Sequence, residues 1–560
     1  LHSPFQRSFT RRYSTECCSP HCADCGLTCP GDGAIISLYV CGEVVFPRAD
    51  GQYPSSREVK KRAVKALLVY PKYPDTFWSF KHILGLISKK AAFPPLGLLT
   101  VAAMLPDRWE KRLVDMNVRP LRDADIRWAD YVFISAMDVQ RASAEDVICR
   151  CNALQRKVVA GGPLFTTSPD EFESVDHLVL NEGEVTLPLF LKDLEEGRAR
   201  PVYASTERPD VAATPPPRWE LLDMRKYASM SVQYSRGCPF NCEFCDITFL
   251  NGHVPRTKSA DQFIGEMESL YRHGWRGGVF IVDDNFIGNR RKLKEDVLPA
   301  LIRWSESRGY PFSFNTEASV NIADDRELME LMVKAGFGTV FVGIETPSEE
   351  GLEECGKLQN RQRDLVETVK TIQRHGLQVQ GGFIVGFDSD TPSIFQRQIE
   401  FIQRSGIVTA MVGLLNAPRG TRLYQRLMRE GRLLRRMSGD NTDFSINFMP
   451  KMDLQALIDG YRKILSTIYS PGPYYERVKT FLREYKPRRP KRPAFRLRYL
   501  WPMVKGMWVL GVVDKGRLHF WRGLLTTLVR YRSSTREFLA AAVYGLHFRK
   551  VVEQASRGTS

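Results

Sequence analysis

The chain has 560 residues, 43% of them hydrophobic and 26% charged, with a formal net charge of +16 at pH 7. That balance describes a globular protein with room for three or four domains and excludes a fibrous or wholly disordered chain. There is no run of eighteen or more apolar residues, so no transmembrane helix is expected. Residues 1–16 are basic but lack the apolar core of a signal peptide. Twelve cysteines are modest for this length, and three fall where a disulfide would destroy the central motif, so a reducing cytoplasm is expected.

Residues 1–62 read differently from the rest. Cys17, Cys18, Cys22, Cys25, Cys29 and Cys41 crowd into a stretch rich in Ser, Pro, Gly and Arg, with little periodicity. The C-x2-C at Cys22 and Cys25 is half of a zinc or second-cluster spacing. The reading adopted is a disordered extension or sequence upstream of a misplaced start, because the chain opens on Leu1 and its first methionine is Met104.

From Lys65 the pattern sharpens. Short apolar strands recur at 66–70, 112–115, 131–135, 157–160 and 177–180, with helical stretches such as 143–155 between them. Alternating β and α predicts a doubly wound parallel sheet over 63–199, with ligands at the carboxyl ends of its strands. Those ends carry Tyr70-Pro71, Ser135-Ala-Met137, Gly161-Gly162-Pro163 and Asn181-Glu182-Gly-Glu184. Gly161-Gly162 lets a bulky ligand approach the backbone. The absence of G-x-G-x-x-G argues against a dinucleotide. Residues 200–225, with Pro201, Pro209 and Pro215-Pro216-Pro217, read as a stiff linker.

Between 226 and 430 strands are predicted near 230–234, 278–283, 312–317, 339–344, 379–385 and 409–414, separated by five helices. Six βα units fall short of the eight of a closed barrel, so an open partial barrel is expected, with its chemistry where the strands end. After the first strand comes Ser235-Arg-Gly-Cys-Pro-Phe-Asn-Cys-Glu-Phe-Cys-Asp246, in which Cys238, Cys242 and Cys245 are spaced C-x3-C-x2-C. Three thiolates on one tight loop can hold three irons of a 4Fe–4S cluster and leave the fourth iron open. A zinc knuckle would need a fourth ligand, and no second Cys pair or nearby His supplies one. Phe244 is placed to shield a cluster or stack on a base. The later strand ends carry Asp283-Asp284-Asn285, Asn315-Thr316-Glu317, Glu345-Thr346 and Gly386-Phe-Asp388. Glu317 and Glu345 close otherwise apolar strands, where an unpartnered carboxylate is costly and a ribose hydroxyl or ammonium would satisfy it.

The cysteine segment resembles the signature of the radical SAM superfamily. The resemblance implies that the open iron binds S-adenosylmethionine (SAM), which one electron from the cluster cleaves to methionine and a 5′-deoxyadenosyl radical. It places Asp283 and Asp284 at the amino group of SAM and Glu317 and Glu345 at its ribose and methionine, and Gly343 would permit close approach of adenine or substrate. The 63–199 stretch resembles the cobalamin-binding domain that precedes the barrel in one large subgroup, through Ala160-Gly-Gly-Pro163 and Asn181-Glu-Gly-Glu184. That resemblance implies cobalamin contacts from Tyr70, Met137, Gly161, Gly162, Pro163, Asn181 and Glu182. The D-x-H-x-x-G motif is missing, so no protein imidazole on cobalt is expected, and His177 reads as structural. Val282 to Arg290, Val340 to Pro347 and Asn416 to Arg422 are similar to the branch that includes the hopanoid C-2 methylase.

The last eighty residues hold eighteen Lys/Arg against four Asp/Glu and so carry nearly all of the net charge. The region 431–560 reads as mainly helical. Its basic run and scattered Trp and Met suit an anionic membrane or lipid-like substrate, or simply a solvated helical cap. Nucleic acid is disfavoured, since no binding motif accompanies the charge.

The expectation is therefore a cytoplasmic or membrane-peripheral, cobalamin-dependent radical SAM enzyme that methylates an unactivated carbon of a small-molecule or lipid-like substrate. Its electron donor would be a flavodoxin or ferredoxin. The alternatives are a radical cyclase or rearrangement enzyme without methyl transfer, and a non-catalytic cobalamin or SAM sensor.

Overall fold

Two six-stranded parallel sheets follow one another along the chain in a computed structural model that describes residues 63–440, 442–487 and 500–557. The N-terminal cysteines and most of the basic run 486–498 lie outside the described residues.

The first sheet comprises β1 (Lys65–Tyr70), β2 (Glu110–Asp115), β3 (Tyr131–Ser135), β4 (Lys157–Gly161), β5 (His177–Val179) and β6 (Val202–Tyr203), in the order β2-β1-β3-β4-β5-β6. Ala66–Val69, Val132–Ile134 and Val158–Ala160 are buried on both faces, which is why they read as unbroken apolar runs. Leu67, Val69, Val132 and Ile134 pack on the helices Asp123–Trp128 and Arg141–Ala153. Ala66, Leu68, Phe133 and Val159 pack on the opposite layer, the helices Leu96–Met104 and Gly183–Glu195. With both faces covered, only the carboxyl ends of the strands remain for a ligand. The stretch expected to be a spacer differs from that reading: it begins with the sixth strand, and its Trp219 is 1% exposed. Pro-rich composition predicted stiffness, and pairing with β5 used it.

The second sheet holds β7 (Ser229–Val232), β10 (Gly278–Ile281), β11 (Ser313–Glu317), β12 (Phe337–Glu345), β13 (Gln378–Val385) and β14 (Thr409–Leu414). The short pair β8 (Ser235–Arg236) and β9 (Arg256–Thr257) lies between its first two members. Its order is β14-β13-β12-β11-β10-β7 and all pairs are parallel, so it is the open six-stranded barrel expected. Side chains alternate between faces. Val340, Val342 and Ile344 are buried under helices, whereas Thr339, Phe341 and Gly343 face the lumen.

Two other parts of the chain close this barrel. The loop after β1 brings Trp78 edge-on to Phe341, with its indole N–H 3.1 Å from the Met411 sulfur. Phe77 in the same loop stacks on Phe548 of the final helix, Thr535–Arg557. The edge strand β14 is covered by the helices Leu454–Tyr469 and Pro471–Glu484. There the hydroxyls of Tyr461 and Tyr469 donate to the carbonyls of Val412 and Ala410 at 3.1 and 2.7 Å. Arg477, fully buried, donates to Gln403 Oε1 and the Val408 carbonyl. The C-terminal helices thus satisfy backbone groups that an exposed edge would leave open to other chains.

Candidate active site

The three cysteines sit on a loop held at every turn. Gly237 has φ +98°, and a Cβ there would lie 2.7 Å from the Val254 carbonyl, so only glycine fits. The Cys238 amide donates to the Gly252 carbonyl, the Glu243 amide to the Cys355 carbonyl, and the Cys245 amide to the Cys242 carbonyl. From the far side, Arg422 donates to the Asn241 carbonyl at 2.5 Å, and Arg426 pairs with Glu243 at 2.8 Å. The Asn416–Arg422 segment therefore leads into a helix whose first turns grip the cysteine loop.

All three thiols are free and partly accessible. Burial raises the pKa of each, and neighbouring thiols add to this at Cys238 and Cys245. Among the described residues no three His, Cys, Asp or Glu converge closely enough to hold one metal ion. The Cys242 thiol neighbours both Cys238 and Cys245, so one loop presents all three together. Cys355, behind the loop, is buried with its thiol toward the Leu352 carbonyl at 3.6 Å.

The acids divide into two groups. Both oxygens of Asp283 are committed to protein donors: the Tyr234 amide at 2.8 Å, the Ser235 amide at 2.8 Å and the Ser235 hydroxyl at 2.6 Å. Burial still pushes its pKa up to about 7, against those hydrogen bonds. Asp284 accepts from the Gly237 amide at 2.8 Å and from Asn251 at 3.0 Å. This pair thus braces the cysteine loop. Glu317 instead ends β11 facing the lumen, and its pKa is pushed up to about 7 by burial and by the charges of Asp284 and Asp283. Glu345 ends β12 at a register shift with φ +65°, a strained conformation for a non-glycine residue, and pairs with Lys357 at 2.7 Å. Burial opposes the Lys357 charge, but Glu345 and the Cys242 and Cys245 thiols hold its pKa above the ordinary lysine range. A Cβ on Gly343 would lie 2.7 Å from Lys357 Nζ, so this ion pair packs against the Gly343 backbone. Phe244 packs near Phe387, with ring centroids 6.5 Å apart.

A cavity of about 580 Å³ opens where the first sheet ends. Tyr70, Met137, Gly161, Gly162, Pro163, Asn181 and Glu182 line one side, and Gln233, Arg236, Val282 and Asp284 line the other. Gly162 has φ +90°, and a Cβ there would meet Ser135 Oγ at 2.6 Å. Met137 is 46% exposed into this region. Glu182 shares this wall and also has protein partners. Its carboxylate is taken by Arg236 at 2.9 Å and Arg256 at 2.7 Å, with Arg208 at 3.4 Å. Glu184 accepts from Arg236 at 2.7 Å and from the Thr214 hydroxyl at 2.7 Å. The loop after β5 is thus clamped to β8, two residues before Cys238. His177 starts β5 at the opposite end of the sheet, with Nδ1 2.8 Å from the Arg200 carbonyl, which agrees with a structural role.

Sequence reasoning missed Lys357, Arg236, Arg256 and the buried Lys258–Glu266 pair on the cavity wall. Lys357 lies between two short elements with no periodic signal. Arg236 was visible inside the cysteine motif, but its two carboxylate partners lie some fifty residues away.

A doubly wound sheet facing a three-thiol loop on an open barrel defines a cobalamin-binding radical SAM protein. Three family models match in succession: a B12 binding domain at residues 85–191, the Radical SAM superfamily at 232–402, and a domain of unknown function (DUF4070) at 421–560. An uncharacterised methyltransferase of Synechocystis sp. is 42% identical, covering 88% of this chain and 93% of its own. The hopanoid C-2 methylase of Rhodopseudomonas palustris is 36% identical, covering 88% and 94%. The fold is shared with TsrM of Kitasatospora setae, a radical SAM methyltransferase solved with cobalamin and a [4Fe-4S] cluster, at TM-score 0.57, 15% identity and coverage of 86% and 99%. It is also shared with the cobalamin-dependent radical enzyme OxsB, at TM-score 0.56, 15% identity and coverage of 89% and 80%. The chain belongs to the cobalamin-dependent radical SAM methyltransferases, and its cofactors are SAM, a 4Fe–4S cluster and cobalamin. No helix among the described residues is long and apolar enough to cross a membrane.

Proposed function

We propose that this enzyme transfers a methyl group to an unactivated sp3 carbon of a lipid-like small molecule, with the cluster held by Cys238, Cys242 and Cys245. The observation that carries the reading is a cavity bounded by strand ends of the first sheet, by Arg236 of β8 and by the residues that follow β7 and β10 of the barrel. An sp3 carbon is neither acidic nor nucleophilic, so a polar transfer cannot methylate it. When bound, the cluster with SAM supplies hydrogen abstraction and cobalamin supplies the methyl group.

The protein's part is placement and exclusion. Asp283 and Asp284 act through the loop they brace, fixing the thiols and the backbone near the SAM amino group. Glu317 offers a carboxylate to an ammonium or ribose hydroxyl, and a cation there would return its pKa toward the usual range. The Glu345–Lys357 pair presents an ammonium beside the cluster loop, suited to a carboxylate. Phe244 flanks the same space. Tyr70, Met137, Gly161, Gly162, Pro163 and Asn181 form the cobalamin-side wall, and Glu182 serves as the clamp to the barrel. The aromatic closure by Trp78 and Phe341 keeps water out of the lumen. A hopanoid methylase as relative supports a lipid-like substrate. We also propose a flavodoxin or ferredoxin as electron donor, a cytoplasmic setting, and peripheral membrane contact through the basic C-terminal region.

The test is anaerobic reconstitution with methyl-labelled SAM, cobalamin and reduced flavodoxin, supplied with lipid extract from a strain lacking the protein. The expected result is 5′-deoxyadenosine and S-adenosylhomocysteine in equal amounts, with label in a lipid product. Deoxyadenosine without S-adenosylhomocysteine, and an unlabelled product, would replace methyl transfer by cyclisation or rearrangement. No SAM cleavage at all would indicate a sensor.

A further inference from the structure

The helix Arg517–Arg530 carries two apolar stripes where one would dock it. Phe520, Leu524 and Thr527 are buried, and Phe520 stacks on Phe538 of the final helix. Leu518, Trp521, Leu525, Leu528 and Val529 recur at helical spacing on another face, and they are 77%, 42%, 61%, 46% and 81% exposed. An ordinary surface helix fills that face with polar side chains. The preceding helical run, Leu500–Trp508 with Val509–Val513, repeats the pattern through Trp501, Val504, Trp508 and Val512. The Trp521 indole N–H donates to the Gly511 carbonyl at 2.9 Å, which ties the two runs into one hairpin. Eleven of the twenty-one large hydrophobic side chains exposed among the described residues fall within 501–529. They therefore form a patch and are not the scattered singles normal on any surface.

The exposed charge carried by the hairpin itself has one sign. Lys505, Arg517, Arg522, Arg530 and Arg532 are exposed in and beside the hairpin. The one acid between 500 and 536, Asp514, is turned inward to Arg549 at 2.7 Å and is 7% exposed. Exposed tryptophans and aliphatic side chains, interleaved with exposed cations and with no exposed acid between 500 and 532, match the polar–apolar boundary of an anionic bilayer. A protein partner buried on the same face would itself need to be both apolar and acidic.

We propose that the 500–532 hairpin lies in the interface of an anionic membrane, with its outward stripes among the acyl chains and its arginines at the lipid phosphates. The hairpin stands on its own surface, so membrane binding neither requires methyl transfer nor follows from it.

Co-sedimentation of the reconstituted full-length enzyme with phosphatidylcholine vesicles, with and without phosphatidylglycerol, tests this. Binding is expected only to the anionic vesicles, with a blue shift of tryptophan emission, and it should weaken as salt rises. The triple variant L518D/L525D/V529D should bind at least about tenfold more weakly. The charge reversal R522E/R530E should weaken binding comparably without altering any apolar side chain. Both should keep the parent's melting temperature and SAM cleavage, since every altered side chain is exposed. Equal binding to neutral vesicles, or no binding to either kind, would overturn the proposal. So would a dimer that the aspartates dissolve, because a second copy would then cover the patch.

Discussion

Replacing Arg236 by methionine removes the side chain that joins the cobalamin domain to the cysteine loop. Arg236 is 14% exposed and reaches Glu182 Oε2 at 2.9 Å, Glu184 Oε1 at 2.7 Å and Gln233 Oε1 at 2.8 Å. Without it Glu182 keeps Arg256 and Arg208, but Glu184 keeps only the Thr214 hydroxyl and its own backbone amide. Removing one partner of a buried ion pair costs roughly 3–5 kcal/mol. A second route gives a similar size. Burial alone would raise the Glu184 pKa, yet the hydrogen bonds and charge of Arg236, with help from Thr214, bring it from 4.5 down to about 2. That difference corresponds to about 3 kcal/mol of stability. Because the folded pKa is depressed, this contribution is present in full above about pH 4.5 and is lost as pH falls toward 2. Urea unfolding of the apoprotein should therefore show R236M destabilised by about 3–5 kcal/mol at pH 7, with weaker cobalamin retention on gel filtration. R236K should recover little, since an ammonium cannot span two carboxylates as a planar guanidinium does. E184Q should flatten the fall in stability between pH 4.5 and 2. An R236M protein within about 1 kcal/mol of the parent, or an E184Q protein with the parent's acid profile, would refute the clamp.

Changing Cys238, Cys242 and Cys245 together to alanine should leave the apoprotein folded, take iron after reconstitution from about four per chain to none, and abolish SAM cleavage; retained cleavage would refute the cluster site. H177A should leave the visible spectrum of bound cobalamin unchanged, because that imidazole faces the Arg200 carbonyl at the far end of its sheet. E317Q should stabilise the SAM-free protein increasingly as pH rises from about 4.5 through 7, by at most about 3 kcal/mol. The carboxyl's raised pKa favours its neutral form, whose benefit is lost on ionisation; a pH-independent difference in thermal unfolding would refute this.

Much of the architecture was legible before any coordinates. Strands buried on both faces read as apolar runs, and every strand of the barrel was anticipated to within a few residues, because parallel β/α units write their period into the chain. The cysteine motif was legible for a similar reason: one loop must supply all three thiols, so their spacing is local. What local pattern could not show was which partner each charged side chain takes. Glu182, expected at cobalamin, is held by three arginines, and Asp283 and Asp284 turn back to brace the loop. Glu345 meets Lys357 only because a β-bulge and a left-handed residue redirect the end of β12. The apolar stripes of 500–532 were visible as scattered Trp and Met, but only packing shows which stripe is already covered and which faces out. Sequence by itself determined the elements and the grouping of the three cysteines on one loop, since both follow from the chain's own periodicity and spacing. Tertiary structure decided the partners of the charges and the exposed face, since these depend on chain segments that are distant in sequence and adjacent in space.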